Sequence, residues 1–161
     1  MSRRLMYKKC MELFNRYAST LMQTLHMNDV VWLVFFYLFE RKVYAKKPAH
    51  SAYDVCRSLN AILQASPPLS GPRHLSDKSV NEALETLAIK GLVLKTEAKD
   101  RKKGSKLMGR PPKYVYEAES IANIVARVKK EFQDKMERAL HTLEPLQDAE
   151  EAAVSEMEEV D

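Results

Sequence analysis

The sequence has no apolar run long enough to cross a bilayer. Its most hydrophobic segment, VVWLVFFYLF, is ten residues long and is closed by Asp29 and Glu40, about half the length of a membrane span. It reads as a buried helix, and no membrane partner is expected. MSRRLMYKKC at the N-terminus is not followed by an apolar run with a cleavage site, so no secretory signal is read and the cytoplasm is expected. Cysteine is scarce: Cys10 and Cys56 stand far apart, and His26, His50, His74 and His141 show no metal-ligand spacing, so no metal or cofactor is expected. The four glycines form no phosphate-binding loop, no nucleophile elbow is present, and no carboxylates pair in a catalytic frame. The expectation is a non-enzyme.

What is present is enough for one core. The 161 residues are 45% hydrophobic, with one Trp, seven Tyr and five Phe, which suits a single domain with extensions. The net charge of +4 hides segregation. Nine Lys and Arg stand against three Asp and Glu in residues 1–47, eleven against five in 73–113, and none against eight in 144–161. Basic patches attract DNA through phosphate neutralisation and counterion release. A like-charged acidic run is usually solvated, so residues 147–161 are expected to be a disordered tail rather than a nucleic-acid mimic or a partner-binding segment.

Hydrophobic spacing divides the rest into blocks. From Arg3 to Leu25, the residues Met6, Cys10, Phe14, Tyr17, Leu21 and Leu25 make an apolar stripe on a first helix, giving an N-terminal unit over 1–27. Asn28 can cap a second helix through roughly Val43, apolar nearly all round and therefore central to the core. Pro48 stops any continuation, and Ser51 can cap the next helix. Over 119–146, Ile121, Val125, Val128, Phe132, Met136 and Leu140 recur at spacings of three and four, which predicts a long helix with a sticky seam. Met6, Phe14, Tyr17 and Leu21 with this second stripe are the expected surfaces of a homodimer.

Residues 75–118, LSDKSVNEALETLAIKGLVLKTEAKDRKKGSKLMGRPPKYVYEA, carry the functional signal. Val80, Leu84 and Leu87 form one buried stripe of a helix over about 76–90, with Ser76 as N-cap and Gly91 at the left-handed C-terminal position. A strand, a basic loop over 95–113 and a return strand follow. This is the layout of a recognition helix and a wing. The run LSDKSVNEALETLAIKGLV with GRPPKYVYEA downstream resembles TrmB-like and MarR-like winged-helix transcriptional regulators, commonest in archaea and bacteria. The resemblance covers about half the chain and implies a mainly α fold with a small β-wing, a winged helix-turn-helix over 28–118 flanked by dimerisation helices. It also implies duplex DNA as partner and allows a small-molecule effector between the dimer helices and the DNA-binding core. Two features depart from the family pattern. NAILQASPPLSGPRH separates the two helices by more than a short turn, so the first should run on through Ile62 or Leu63 with SPPLSGP as a surface loop. Asp77 and Glu82 stand where the family often carries neutral or basic contacts; a carboxylate can accept from cytosine N4 but repels phosphate.

Within this layout Lys78, Ser79 and Asn81, with Arg73, Ser76 and Glu82 beside them, are the residues expected to address base edges and nearby phosphates. Lys99, Arg101, Lys102, Lys103 and Lys106 in the wing are expected to meet the backbone without reading sequence. Arg110, stiffened by Pro111 and Pro112 and followed by Lys113, suits either a narrow minor groove or a phosphate. Cys56 falls in the small slot that the family usually fills with Ala, and both thiols are expected to be structural rather than redox-sensing. His26 is expected to act as a C-terminal capping charge. Three readings stay open: a sequence-specific dimeric regulator, an architectural or chromatin-like DNA binder, and a winged-helix adaptor of the basal transcription machinery.

Overall fold

The computed structural model describes residues 2–44, 47–98 and 112–159. Among them the chain runs through α1 (Arg3–Arg16), α2 (Ala18–Leu25), α3 (Asp29–Tyr44), α4 (Ala52–Ala65), α5 (Asp77–Ile89), β1 (Val93–Glu97), β2 (Tyr114–Ala118) and α6 (Ile121–Glu159). The protein is mainly α with a small antiparallel sheet, a winged helix.

Its centre is α3. Val34, Phe35, Leu38 and Phe39 are essentially without solvent contact, because a helix apolar on every side can be satisfied only by neighbours on every side. Tyr7 and Phe14 of α1 press on Phe39 with ring centroids 5.3 and 4.9 Å away. Val55 and Leu59 of α4, Val80, Leu84 and Leu87 of α5, and Tyr116 of β2 complete the cluster. Each aliphatic side chain so buried contributes about 1.5–3 kcal/mol, several times an exposed ion pair. Side chains cap the helices as their types predict. The Asn28 carboxamide oxygen accepts from the Val31 amide at 2.9 Å, and the Ser51 hydroxyl accepts from Asp54 at 3.2 Å.

Three differences from the sequence reading have physical causes. The N-terminal helix turns at Tyr17 (φ −108°, ψ 22°) into two pieces. Tyr7, Phe14, Thr24 and Leu25 are then the buried side chains of the two pieces, while Met6 and Tyr17 face solvent. At His26 the backbone itself closes α2: the residue is left-handed (φ 54°) and its N–H points to the Gln23 and Met22 carbonyls, so capping is conformational. Finally, α6 passes the expected boundary at 146 and continues through Pro145 to Glu159. Of the segment expected to be a disordered tail, residues 147–159 are helix, rich in Ala, Glu and Met, which favour that state, with Gln147 donating to Glu151 at 3.3 Å one turn on.

The junction between α4 and α5 is held by one side chain. The Asn60 carboxamide donates to the Leu75 carbonyl at 2.9 Å and accepts from the Leu75 amide at 2.8 Å, closing the whole connection after Ala65 onto α4. The expected surface loop is there, with Leu69 fully exposed at its tip. At the far end of α5, Gly91 (φ +74°) turns the chain and Leu92 donates to the Leu87 carbonyl at 3.0 Å, a left-handed termination that glycine adopts without strain.

The wing is tied down from both sides. β1 and β2 pair from Val93↔Ala118 to Glu97↔Tyr114, and His50, from the α3–α4 connection, exchanges both backbone bonds with Tyr116 at 2.9 and 2.7 Å. Glu85 of α5 accepts from Lys95 at 2.7 Å and from the Tyr116 hydroxyl at 2.9 Å. These partners, Lys95 first, hold its carboxyl below the usual range. Burial, and then Glu85, push Tyr116 up to about 12.

Two outcomes follow from these ties. Asn60→Ala leaves the buried Leu75 amide unpaired and its carbonyl with only the weak Cys56 thiol donor at 3.6 Å, at roughly 1–3 kcal/mol for each backbone bond lost. Urea unfolding should show a loss of about 2–4 kcal/mol, and a loss below about 0.5 kcal/mol would mean that the clamp carries little stability. The second outcome concerns pH. With its folded pKa depressed, Glu85 supplies stability that is complete above the unfolded carboxylate value and fades as pH falls through the folded one. Tyr116, raised from 10.0 to about 12, contributes fully below pH 10 and loses its contribution as pH climbs toward about 12. Absorbance titration should show one tyrosine ionising after the others, and Glu85→Gln should bring it down. Tyrosines that ionise together in the wild type would refute the tie.

Candidate nucleic-acid interface

Helix α5 presents two faces. Val80, Ala83, Leu84 and Leu87 are buried in the core, and the opposite side carries Lys78, Asn81, Glu82 and Ile89, all exposed. Helical spacing of three to four residues brings these side chains onto one outward strip. The strip starts at Ser76, whose hydroxyl oxygen accepts from the Ser79 amide at 3.1 Å. This leaves the helix N-terminus presented to solvent beside Lys78, an arrangement suited to a phosphate or a base edge.

The expected base-reading residues do not all share that strip. Asn81 is exposed, whereas Lys78 sits 3.9 Å from Glu82 one turn on, an exposed pair of little energetic weight. Ser79 accepts from the Ser76 hydroxyl at 2.9 Å and is half-buried beside Asn28 and Val31, where α3 begins; it is turned toward the fold and away from the outward face. Arg73 is exposed two residues before the buried Leu75. Lys113 is exposed just before β2, its carbonyl accepting from Ala98 at 2.8 Å. Lys99, Arg101, Lys102, Lys103, Lys106 and Arg110 lie outside the described residues.

The expected dimer residues also divide. Phe14 is spent inside the monomer: its ring lies 5.8 Å from Phe35 and 4.9 Å from Phe39, so it has no surface to offer a second copy. Leu21, Ile121 and Val128 are half-buried against the core. Met6, Tyr17, Val125, Phe132, Met136 and Leu140 are exposed, Phe132 at 56%. Beyond them, Leu143 and Leu146 extend the same exposed run on α6.

Neither thiol is arranged for redox chemistry. Cys56 is buried with its sulfur 3.6 Å from the Leu75 carbonyl. Burial, followed by Asp77, pushes its pKa up, the opposite of what a reactive thiolate needs. Burial likewise raises Cys10. Among the described residues, no group of His, Cys, Asp and Glu is arranged to hold a metal ion, and no helix is long and apolar enough to cross a membrane.

Sequence reasoning misses three residues here. Ile89 is 81% exposed at the end of the outward strip, where an aliphatic side chain can meet a thymine methyl; its failure to fit the Val80, Leu84 and Leu87 stripe is the available signal. Glu85 reads as one more surface carboxylate, since its partners Lys95 and Tyr116 are remote in sequence. Asn60 gives a fainter sign, an amide at helical spacing from the buried Cys56 and Leu63.

No protein-family model matches the chain, and no curated protein does. Among solved structures, a "Possible transcriptional regulator" from Methanosarcina mazei Go1 superposes with a TM-score of 0.57 at 13% identity, over 80% of this chain and 87% of that one. At that identity the likeness is one of fold, and the fold shared is the winged helix.

Proposed function

We propose that the protein is a homodimeric DNA-binding transcriptional regulator of the TrmB-like and MarR-like kind. In this reading α5 enters the major groove, and the basic segment 95–113 lies on the backbone or in the minor groove. One observation carries it: α5 is anchored by a fully buried face while its capped, polar face is left to solvent, beside a hairpin whose connecting sequence is KDRKKGSKLMGRPPK. The name of the structural neighbour points the same way. Lys78, Asn81, Glu82 and Ile89 are the proposed readers of base edges, with Arg101, Lys102 and Lys103 as phosphate contacts.

The dimer is proposed from α6. Its 39 residues extend roughly 58 Å at 1.5 Å per residue, and the chain's own core covers only the start, around the buried Ile124. Phe132, Met136, Leu140 and Leu143 are left as a continuous exposed run, larger than a solvated helix needs. A second copy covers it and sets two reading helices about one DNA turn apart. An effector, which the resemblance allows, is assigned to the open cleft of about 600 Å³ among Met22, Gln23, His26, Met27 and Lys135, where α2, α3 and α6 meet.

A second reading has a specific observation behind it. With Lys78 beside Glu82 and Ser79 bonded to Ser76, the helix has fewer free donors for bases, which suits an architectural binder that depends on its basic wing. Selection of genomic fragments at physiological salt separates the two. A regulator recovers one motif with a preference of about 10³ or more over bulk DNA, and an architectural protein recovers none. Asn81→Ala should cost about 1–3 kcal/mol at the selected site and little on random duplex; equal losses on both would support the architectural reading. For the dimer, Phe132→Glu with Met136→Glu should yield a folded monomer by sedimentation that binds one half-site weakly. A wild type that sediments as a monomer at micromolar concentration would end the dimer proposal.

A further inference from the structure

We infer that the cleft between α4 and the connection that follows it is a second phosphate-binding site, which seats the DNA backbone at the N-terminal end of α5. The inference rests on the DNA-binding reading and adds Arg57, His74 and the α4 wall to Arg73, which alone of the cleft's residues the sequence had placed near DNA. The cleft encloses about 720 Å³ and is lined by Arg57, Asn60, Gln64, Pro67, Arg73 and His74. Arg57, Asn60 and Gln64 stand three and four residues apart, so one face of α4 forms a wall. Arg73 and His74 form the other.

The juxtaposition is built into the fold. The two bonds from Asn60 to the Leu75 backbone fix the chain immediately after Arg73 and His74 against the α4 face that bears Arg57. The long connection is therefore closed at its base, and its basic end cannot drift from the helix. Among the described residues no carboxylate lies within 4.0 Å of either guanidinium, so none of them neutralises the two positive charges. An arginine fork matches phosphate oxygens in geometry as well as charge.

Position and openness select the source of the phosphate. Arg73 and His74 lie three and two residues before Ser76, at the end of α5 where backbone N–H groups also favour anions. The hairpin leaves from the other end of α5, so the cleft and the wing bracket the reading helix. A groove has a phosphate wall on each side, and a helix seated in it meets both. Arg57, Arg73 and His74 are all exposed, and so widely open a cleft cannot strip water from a small free anion. A polyanionic backbone running across it offers several phosphates and releases counterions as they bind.

The test compares wild type, Arg57→Ala with Arg73→Ala, and Arg57→Lys with Arg73→Lys, on a duplex of about 24 base pairs, roughly two turns. Binding is followed by anisotropy as a function of salt, with circular dichroism as the check on folding. The Ala pair should lower the slope of log K against log salt by up to about two units, roughly 0.9 for each phosphate no longer neutralised, whereas the Lys pair should keep most of it. Protection of the backbone from hydroxyl radicals should shrink at the edge of the site in the Ala pair only. If wild type binds the duplex and the Ala pair keeps both slope and footprint, the cleft is not a backbone contact, although the DNA reading stands. If wild type binds no duplex even at low salt, both fail. Saturable binding of inorganic phosphate, abolished in the Ala pair while the duplex slope is unchanged, would instead make the cleft a small-anion site and overturn the inference.

Discussion

The two hydrogen bonds between Asn60 and the Leu75 backbone are the constraint on which the attitude of α5 depends. A helix-turn-helix works because its second helix has a fixed attitude to the first, and a short turn normally supplies that. Here a longer connection intervenes, and flexible loops cost little extra entropy per added residue. Length alone therefore does not destabilise the junction, but it leaves the attitude of α5 undetermined. One amide side chain that satisfies both polar groups of a single backbone unit restores the determination. Cys56 sits beneath the same point with its sulfur against the Leu75 carbonyl, so that the junction is packed as well as bonded.

The opposite end of α5 is treated differently. There the helix is secured to the hairpin through Glu85, Lys95 and Tyr116, and the hairpin is secured to the α3–α4 connection through His50. Lys42 of α3 also reaches Glu117 at 3.6 Å. Helix α5 is thus held at its start by a neutral amide and at its end by a charged network. The two ends should respond differently to pH and salt. The carboxylate and the phenol of the distal one change its strength as they titrate.

Much of the architecture is legible in the sequence because it rests on patterns a single chain displays. The apolar girth of α3, the stripe of Val80, Leu84 and Leu87, the caps at Asn28, Ser51 and Ser76, and the glycine turn at Gly91 are all local signals. What is not legible depends on partners distant in sequence. The apolar stripe on the first helix cannot reveal whether Phe14 faces a second copy or Phe39, since both demand the same residue type. Ser79 reads as outward because a polar residue near a helix start usually is, and only the position of α3 turns it inward. The acidic end of α6 reads as disordered on charge, whereas its Ala, Glu and Met content favours helix. In the candidate site, Asn81 and Lys78 can be read from spacing, but Arg57 is associated with Arg73 only through the closure of the connection between them.

Charge is graded along α6. Residues 121–143 carry five Lys and Arg against three Asp and Glu, whereas 144–159 carry seven acidic residues and no basic one. Two such helices laid side by side in the same direction set acidic end beside acidic end over several turns. Reversed, each acidic end lies along the basic beginning of the other. The helix is therefore electrostatically polar in a way its apolar run is not: hydrophobic contact alone would accept either alignment, and the charge gradient favours the antiparallel one at low ionic strength, losing that preference as salt screens it.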